Sequence, residues 1–227
     1  MRQSANRNKL IMNVNRRSSI SEGYRNIRTN IQFSGWNQNL RVIAVTSTQA
    51  GEGKSTTISN LAVAYAQEGK NVLIIDADLR HPSQHSIFNL SNRVGLSNLL
   101  ADQCSYGDIV HSTVVENLSL VTAGPVPPNP TELLSSDKLP EVIAAWKECY
   151  DIILLDTAPV MAVADGLIVS SLADGAVIVI LAGKVKREYI QKAKEKLEHA
   201  KASILGVVLN QKKYSKSEAN QYRYYHQ

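Results

Sequence analysis

The segment Arg41 to Asn60, RVIAVTSTQAGEGKSTTISN, joins a short apolar run to a Gly-rich turn ending in Gly53, Lys54 and Ser55, and then to a helical pattern. Strand, tight turn and helix in that order are the layout of a cradle for nucleotide phosphates. Such a cradle needs backbone N–H groups pointing inward without side chains in the way, which Gly51 and Gly53 allow, and the positive end of a helix behind them. Lys54 supplies a mobile cation for the β- and γ-phosphates, and Ser55 a hydroxyl for Mg²⁺. The full pattern places a glycine five residues before Gly53; here that position is Thr48.

The rest of the chain repeats the alternation that this unit begins. Arg41–Ser47, Asn71–Asp76, Leu118–Thr122, Asp151–Asp156, Ala176–Leu181 and Ser203–Leu209 are short, β-branched and apolar, and are predicted to be strands buried on both faces. Between them, Ser55–Gln67, Leu96–Ala101, Thr131–Lys147, Ala162–Leu172 and Lys186–Lys201 carry helical periodicity. The predicted fold class is α/β, a single P-loop NTPase-like domain with a mostly parallel sheet and helices on both faces. The stretch Gly124–Glu132, with four prolines, is a rigid crossover at whose end Thr131 is expected to cap a helix.

With 227 residues, 44% of them hydrophobic, the chain can bury one good core. Its longest apolar stretch, Ala176–Ala182, falls well short of the roughly 20 residues that span a bilayer. The polar start MRQSANRNKL has no signal-peptide core, and Cys104 and Cys149 lack metal-ligand spacing, so they read as packing residues in a reducing, cytoplasmic compartment. Charge is uneven: residues 1–45 hold eight Lys/Arg against one acid, 46–183 six against fifteen, and 184–227 eleven against four. The basic ends read either as solvated helix faces, as in Lys184–Lys201, or as partner-binding surfaces. Neither interleaves aromatics at regular spacing before the last residues, so nucleic acid is not expected as a partner.

In open parallel sheets, ligands sit outside the carboxyl ends of the strands. Asp156 ends the run IILLD, where a carboxylate can hold Mg²⁺ directly or through water, and Asp76 and Asp78 end VLIIDAD at a second strand. An Asp after a strand is commonly a turn residue, but two such sites in one chain with a phosphate loop point to a metal-nucleotide site.

TQAGEGKSTT, VLIIDADLRHP and IILLDTAP, in that order, resemble the Walker A, Walker A′ and Walker B series of the bacterial protein-tyrosine kinases that control capsule and exopolysaccharide synthesis. GPVPPNPTELL, the early Glu22-x-x-Arg25-x-x-Arg28 and a tyrosine-rich C-terminus extend the likeness from about Ser21 to the last residue, although Ala50 stands where these kinases usually have Pro. The resemblance implies ATP and Mg²⁺ as cofactors, held by Ala50, Gly51, Glu52, Gly53, Lys54, Ser55 and Thr56. It implies Asp78 and Asp156, with Ser55, at the metal, and Asp76 as the group that orients or deprotonates the attacking tyrosine. Asn210 resembles the family's contact to the nucleotide base; it also reads as a strand-end turn residue. Lys54→Met is expected to remove the phosphate clamp without touching the core.

Four of nine tyrosines, Tyr214, Tyr222, Tyr224 and Tyr225, fall in the last fourteen residues, a segment too polar to pack and expected to be flexible. They read as phospho-acceptors, or as an aromatic-basic patch for a nucleic acid or membrane surface. Glu22, Arg25 and Arg28 share one side of a helix predicted over Ile20–Phe33, and Ser19-x-x-Glu22 also fits a capping box. The expected organisation is a basic flexible segment 1–19, a kinase domain 20–212 with an oligomerisation helix at about 20–34, and a tyrosine-rich tail 213–227. The resemblance implies a homo-oligomeric ring that phosphorylates its tails in trans and loosens on modification. It further implies the split form of these kinases, activated by the cytoplasmic tail of a separate transmembrane polysaccharide co-polymerase, recruited by it to the inner membrane face, and reset by a phosphotyrosine phosphatase. The rival class is the nucleotide-switched assembly ATPases of partition and division positioning, which carry a Lys where this loop has Gln49.

Overall fold

The computed structural model describes residues 10–35 and 39–212. Its centre is a seven-stranded sheet built from β1 (Val42–Ser47), β2 (Val72–Asp76), β3 (Val110–Ser112), β4 (Leu118–Val121), β5 (Ile152–Asp156), β6 (Gly175–Leu181) and β7 (Ile204–Asn210) in the order β3-β4-β2-β5-β1-β6-β7. All neighbours are parallel except β3 with β4. The central strands β1, β2 and β5 are buried at every residue.

Period-2 alternation divides those strands between two cores. Ile43, Val45, Ile74 and Leu154 join Ile58, Leu61 and Tyr65 on one face, while Val42, Ala44, Leu73, Ile75, Ile153 and Leu155 join Leu96, Val142 and Trp146 on the other. On the first face lie α1 (Ile11–Val14), α2 (Ser19–Ser34) and α3 (Lys54–Ala66). On the second lie α5 (Leu96–Leu100), α6 (Tyr106–Ile109), α7 (Pro130–Leu134), α8 (Lys138–Lys147) and α9 (Asp165–Ser171). The short α4 (Gln84–Phe88) follows β2, and α10 (Arg187–His199) packs Ala193 and Leu197 on Ile178 and Ile180 of β6. Eleven of the thirteen residues of α3 are buried, Lys54, Thr57, Ser59 and Asn60 among them, so this helix is covered on all sides and sits inside the domain, under α1 and α2.

The six predicted strands are all present within a residue or so. Five expectations need correction. Thr131–Lys147 is two helices, because Ser135 and Ser136 turn their hydroxyls onto the carbonyls of Thr131 (2.7 Å) and Leu133 (2.8 Å) and compete with the helical ladder. Thr131 caps nothing: it lies inside α7, whose N-cap position is Asn129, without a side-chain cap, and whose first residue is Pro130. Ser18, not Ser19, caps α2, accepting from Ser21 N–H at 3.1 Å, so no Ser19–Glu22 box forms. Strand β7 is an edge in this chain, with Val207 and Leu209 49% and 57% exposed. Cys149 is exposed, and only Cys104 packs against a core. The antiparallel edge strand β3 has no counterpart among the predicted strands, since Val-His-Ser is too short to carry a pattern.

Candidate active site

The loop between β1 and α3 runs at positive φ at Gly51 (+82°) and Gly53 (+92°), conformations that bring successive N–H groups to one side and exclude side chains with a Cβ. The loop is braced from within. Buried Glu52 turns its carboxylate back to accept from Thr48 Oγ1 (3.0 and 2.9 Å) and from Gln49 N–H (2.8 Å). Thr48, the departure from the full phosphate-loop pattern, is therefore a partner in that closure. Asn210, at the end of β7, donates from Nδ2 to Glu52 O at 2.9 Å, and a Cβ on Gly53 would clash with the same Nδ2. Asn210 thus locks the loop to the last strand, a contact that neither of its sequence readings anticipates.

The parallel register of β2 and β5 sets Asp76 opposite Asp156, so two fully buried carboxylates lie side by side at the carboxyl edge of the sheet. Asp78 follows two residues on. Each of the three acids commits one oxygen to the scaffold. Asp76 Oδ2 accepts from the N–H groups of Ser83 (3.0 Å) and Gln84 (2.9 Å), Asp78 Oδ1 from His81 N–H (3.1 Å), and Asp156 Oδ2 from Gln84 Nε2 (2.7 Å). The other oxygens are left for chemistry: Asp78 Oδ2 meets Lys54 Nζ at 2.7 Å, Asp156 Oδ1 lies 3.5 Å from that ammonium, and Asp76 Oδ1 has no hydrogen-bond partner.

Burial first, and the charge of Asp156 second, push the Asp76 carboxyl up to about 8, against the hydrogen bonds from Gln84 and Ser83 and the charge of Lys54. For Lys54, burial opposes the charged form, but the carboxylates of Asp156 and Asp78 outweigh it and hold the ammonium above its ordinary value. Lys54 is thus the counter-ion of the buried acids as well as the first residue of α3.

Two further groups of residues brace the site, one without a sequence signature and one whose Arg80 and Thr131 lie within VLIIDADLRHP and GPVPPNPTELL. Gln84 is fully buried and touches both strand-end acids. The second group is a clamp in which Arg80 Nε donates to Asp165 Oδ2 (2.7 Å), Arg80 Nη2 to Thr131 Oγ1 (2.9 Å), and Thr131 Oγ1 to Asp165 Oδ1 (2.6 Å). This clamp ties the loop after β2 to α7 and α9. Burial disfavours the Asp165 carboxylate, but its bonds to Arg80 and Thr131 prevail and hold its carboxyl below the usual carboxylate range. Its contribution to stability is present above the unfolded value, about 4, and is lost as pH falls through the folded value. Asp165→Asn is expected to cost about 1–2 kcal/mol at pH 7, with solvent at Arg80 screening the rest, and to unfold less steeply with acid below about pH 4. Urea titrations of both proteins across pH 2.5–7 check this.

Glu22, Arg25 and Arg28 lie on α2, on the side of α3 away from the acids. Arg25 pairs with Glu22 at 2.5 Å, and Arg28 donates to Ala64 O at 2.8 Å and reaches Glu68 at 3.6 Å. Arg28 therefore has an intrachain role, fastening α2 to the end of α3. With Asn13, Arg16, Gln67 and Asn117, the two arginines line an open cavity of about 820 Å³. Tyr214, Tyr222, Tyr224 and Tyr225 lie outside the described residues.

The residues fit a magnesium nucleotide. Gly51 and Gly53 leave a backbone cradle at the start of a 13-residue helix, Lys54 and Ser55 stand at its first turn, and two buried carboxylate oxygens beside it lack hydrogen-bond partners. Mg²⁺ takes one or two carboxylates and completes its shell with phosphates and water, so Asp78 and Asp156 beside a bound nucleotide would be enough to hold it. Bound there, Mg²⁺ neutralises charge on the transferring phosphoryl group.

A parallel sheet with a braced phosphate loop and strand-end acids defines a P-loop nucleotide-binding protein, and residues 40–204 match the AAA domain family. Tyrosine-protein kinase YwqD of Bacillus subtilis (strain 168) is 46% identical over 211 residues, covering 92% of this chain and 87% of that protein. Among solved structures, the chimerical protein CapA2B2 superposes with a TM-score of 0.88 at 40% identity over 91% of both chains. The cell division ATPase MinD of Pyrococcus furiosus superposes at 0.67 with 29% identity, over 78% of this chain and 74% of its own. The chain belongs to the bacterial tyrosine-protein kinases.

Proposed function

We propose that this chain is an ATP- and Mg²⁺-dependent tyrosine autokinase that phosphorylates Tyr214, Tyr222, Tyr224 and Tyr225 in trans. The observation that carries this reading is the division of labour among Asp76, Asp78 and Asp156, each with one oxygen anchored and the other off the scaffold, at Lys54 for Asp78 and Asp156 and without a partner for Asp76. Ser55, with Asp78 and Asp156, holds the metal, and Ala50–Thr56 hold the phosphates. Asp76 orients the incoming tyrosine hydroxyl and accepts its proton. Its free oxygen Oδ1, which has no hydrogen-bond partner, is the atom available for that task. Phosphoryl transfer asks for in-line positioning and charge neutralisation, and rigid strand ends provide both.

The partners follow from the family's split form: a transmembrane polysaccharide co-polymerase whose cytoplasmic tail activates the kinase at the inner membrane face, a ring of copies, and a phosphotyrosine phosphatase. The output is control of capsular or exopolysaccharide polymerisation and export. Among the described residues no helix is long and apolar enough to cross a membrane. In the ring, Arg25 is the more accessible contact for a neighbouring copy, since it is held only by Glu22 and Arg16 O near its own helix and is 32% exposed, against 17% for Arg28.

Purified protein given ATP and Mg²⁺ is expected to accumulate phosphotyrosine, and the variant with all four tail tyrosines changed to Phe to lose nearly all of it. Light scattering should find the four-Phe variant as a large oligomer and the phosphorylated wild type as a monomer. The MinD likeness supports a second reading, a nucleotide-switched assembly ATPase, although Gln49 stands where that class has its signature Lys. Nucleotide-dependent assembly with no phosphotyrosine, even with an activating tail supplied, would decide for that reading.

A further inference from the structure

We propose that Gln84 is a positioning residue that aims both strand-end acids, holding Oδ2 of Asp156 with its side chain and Oδ2 of Asp76 with its main-chain N–H. The inference rests on the site being a magnesium-nucleotide site, not on tyrosine being the acceptor.

Gln84 is fully buried at the first position of α4, and every polar atom of its side chain is used. Nε2 has two hydrogens and two acceptors, Asp156 Oδ2 at 2.7 Å and Ser55 O at 3.2 Å, while Oε1 lies 2.7 Å from the hydroxyl of Ser59. These contacts fix which end is which, because the flipped amide would set its oxygen against a carboxylate oxygen. The residue thereby joins three elements: β5 through Asp156, α3 through Ser55 and Ser59, and the end of β2 through Asp76. Ser55 is the residue whose hydroxyl is placed for the metal, so the carbonyl and the carboxylate that Gln84 bridges belong to two of the proposed metal ligands. A neutral donor suits the position. It fixes Asp156 without neutralising it, whereas a lysine or arginine there would compete with Lys54 and with the metal for the same charge.

The geometry separates the two duties of Gln84. A side-chain substitution leaves the main-chain N–H on Asp76 and releases only Asp156 and Ser55, so the loss should fall on the metal-dependent part of binding. Groups that orient metal ligands cost about 10–100-fold in metal affinity when removed. Gln84→Met, apolar and of similar length, suits the buried site. Ser59→Ala is the milder companion, because it keeps the helix and removes the hydroxyl that lies between Gln84 Oε1 (2.7 Å) and Ser55 O (2.6 Å).

The test titrates a fluorescent ADP analogue into full-length wild type, Gln84→Met and Ser59→Ala, with and without Mg²⁺, and records thermal melting of each protein. In Gln84→Met the Mg²⁺-dependent gain in affinity should fall about 10-fold or more, with Mg²⁺-free affinity within about 3-fold of wild type. Ser59→Ala should fall between the two. An unchanged Mg²⁺-dependent gain, whatever happens to the melting temperature, would show that Gln84 is only a packing residue and overturn the proposal. If Gln84→Met does not fold, Ser59→Ala decides: an Mg²⁺-dependent gain equal to wild type overturns the proposal, and a reduced gain supports it. The result stands apart from the kinase reading, which fails instead if wild type binds the magnesium nucleotide well and makes no phosphotyrosine even with an activating tail supplied.

Discussion

Replacing Lys54 with Met is expected to lower autophosphorylation by two to three orders of magnitude, on the order of 10²–10³, by removing a preorganised cation from the transferring phosphate, and also to destabilise the protein. The sequence alone predicts an intact core, because a phosphate-loop lysine reads as a solvent-facing clamp. The structure puts its ammonium 2.7 Å from Asp78 and 3.5 Å from Asp156, with the two carboxylates 3% and 0% exposed. Removing one member of a buried ion cluster strands the others, a loss of about 3–5 kcal/mol. Without the Lys54 charge, which favours the ionised form of Asp76, that carboxyl is protonated more readily, so the variant should recover part of its deficit on acidification from pH 8 to pH 6. Phosphotyrosine blotting and urea unfolding at the two pH values measure both effects. Retained phosphotyrosine would remove Lys54 from catalysis, and wild-type stability at pH 8 would remove it from the acidic cluster.

What could be read from the chain and what could not divide along a physical line. The phosphate loop and the acids Asp76, Asp78 and Asp156 are local: each is a short string whose meaning depends on the strand before it, and apolar runs bounded by Gly and Asp identify strands of a doubly covered sheet. The braces are non-local. Glu52 reads as one charged residue in a turn until Thr48 folds back on it, and Asn210 lies more than a hundred and fifty positions from the loop it locks. Gln84 stands in a polar stretch after a proline, with nothing in its spacing to mark it. Thr131 shows how a local rule misleads: after Asn-Pro it fits a cap, yet the helix already starts at Pro130 and the hydroxyl is used by Asp165 and Arg80. The helix expected over Thr131–Lys147 breaks at Ser135 and Ser136, whose propensity to bond their own backbone was outweighed by the apolar periodicity on either side. For β7, apolar composition suggested two buried faces; in the single chain, Val207 and Leu209 stay open because no element follows to cover that edge within the described residues.

Asp76→Asn is expected to abolish transfer and stabilise the protein at once. Asp76 and Asp156 are paired across β2 and β5, both fully buried, and burial together with the charge of Asp156 pushes the Asp76 carboxyl up to about 8. In the unfolded chain the same group titrates near about 4. Between those values the folded protein holds a proton that the unfolded chain releases, so wild-type stability should fall as pH rises from about 4 to about 8 and level off above. Asparagine has no such proton to lose. Its carbonyl oxygen can still accept from Ser83 and Gln84, so the loop stays anchored while the like-charge contact disappears. The gain over wild type should be small at pH 5, grow with pH, and reach on the order of a few kcal/mol at pH 9, measured by urea unfolding without nucleotide. Transfer should drop about 10²–10⁴-fold, the usual range for a lost general base, while magnesium nucleotide still binds. That combination would identify Asp76 as a site where stability is given up for reactivity, because the fold keeps two facing carboxylates that it would hold more easily as one. A variant no more stable than wild type at pH 9 would show that the paired acids cost the fold nothing, and full transfer would take Asp76 out of the mechanism.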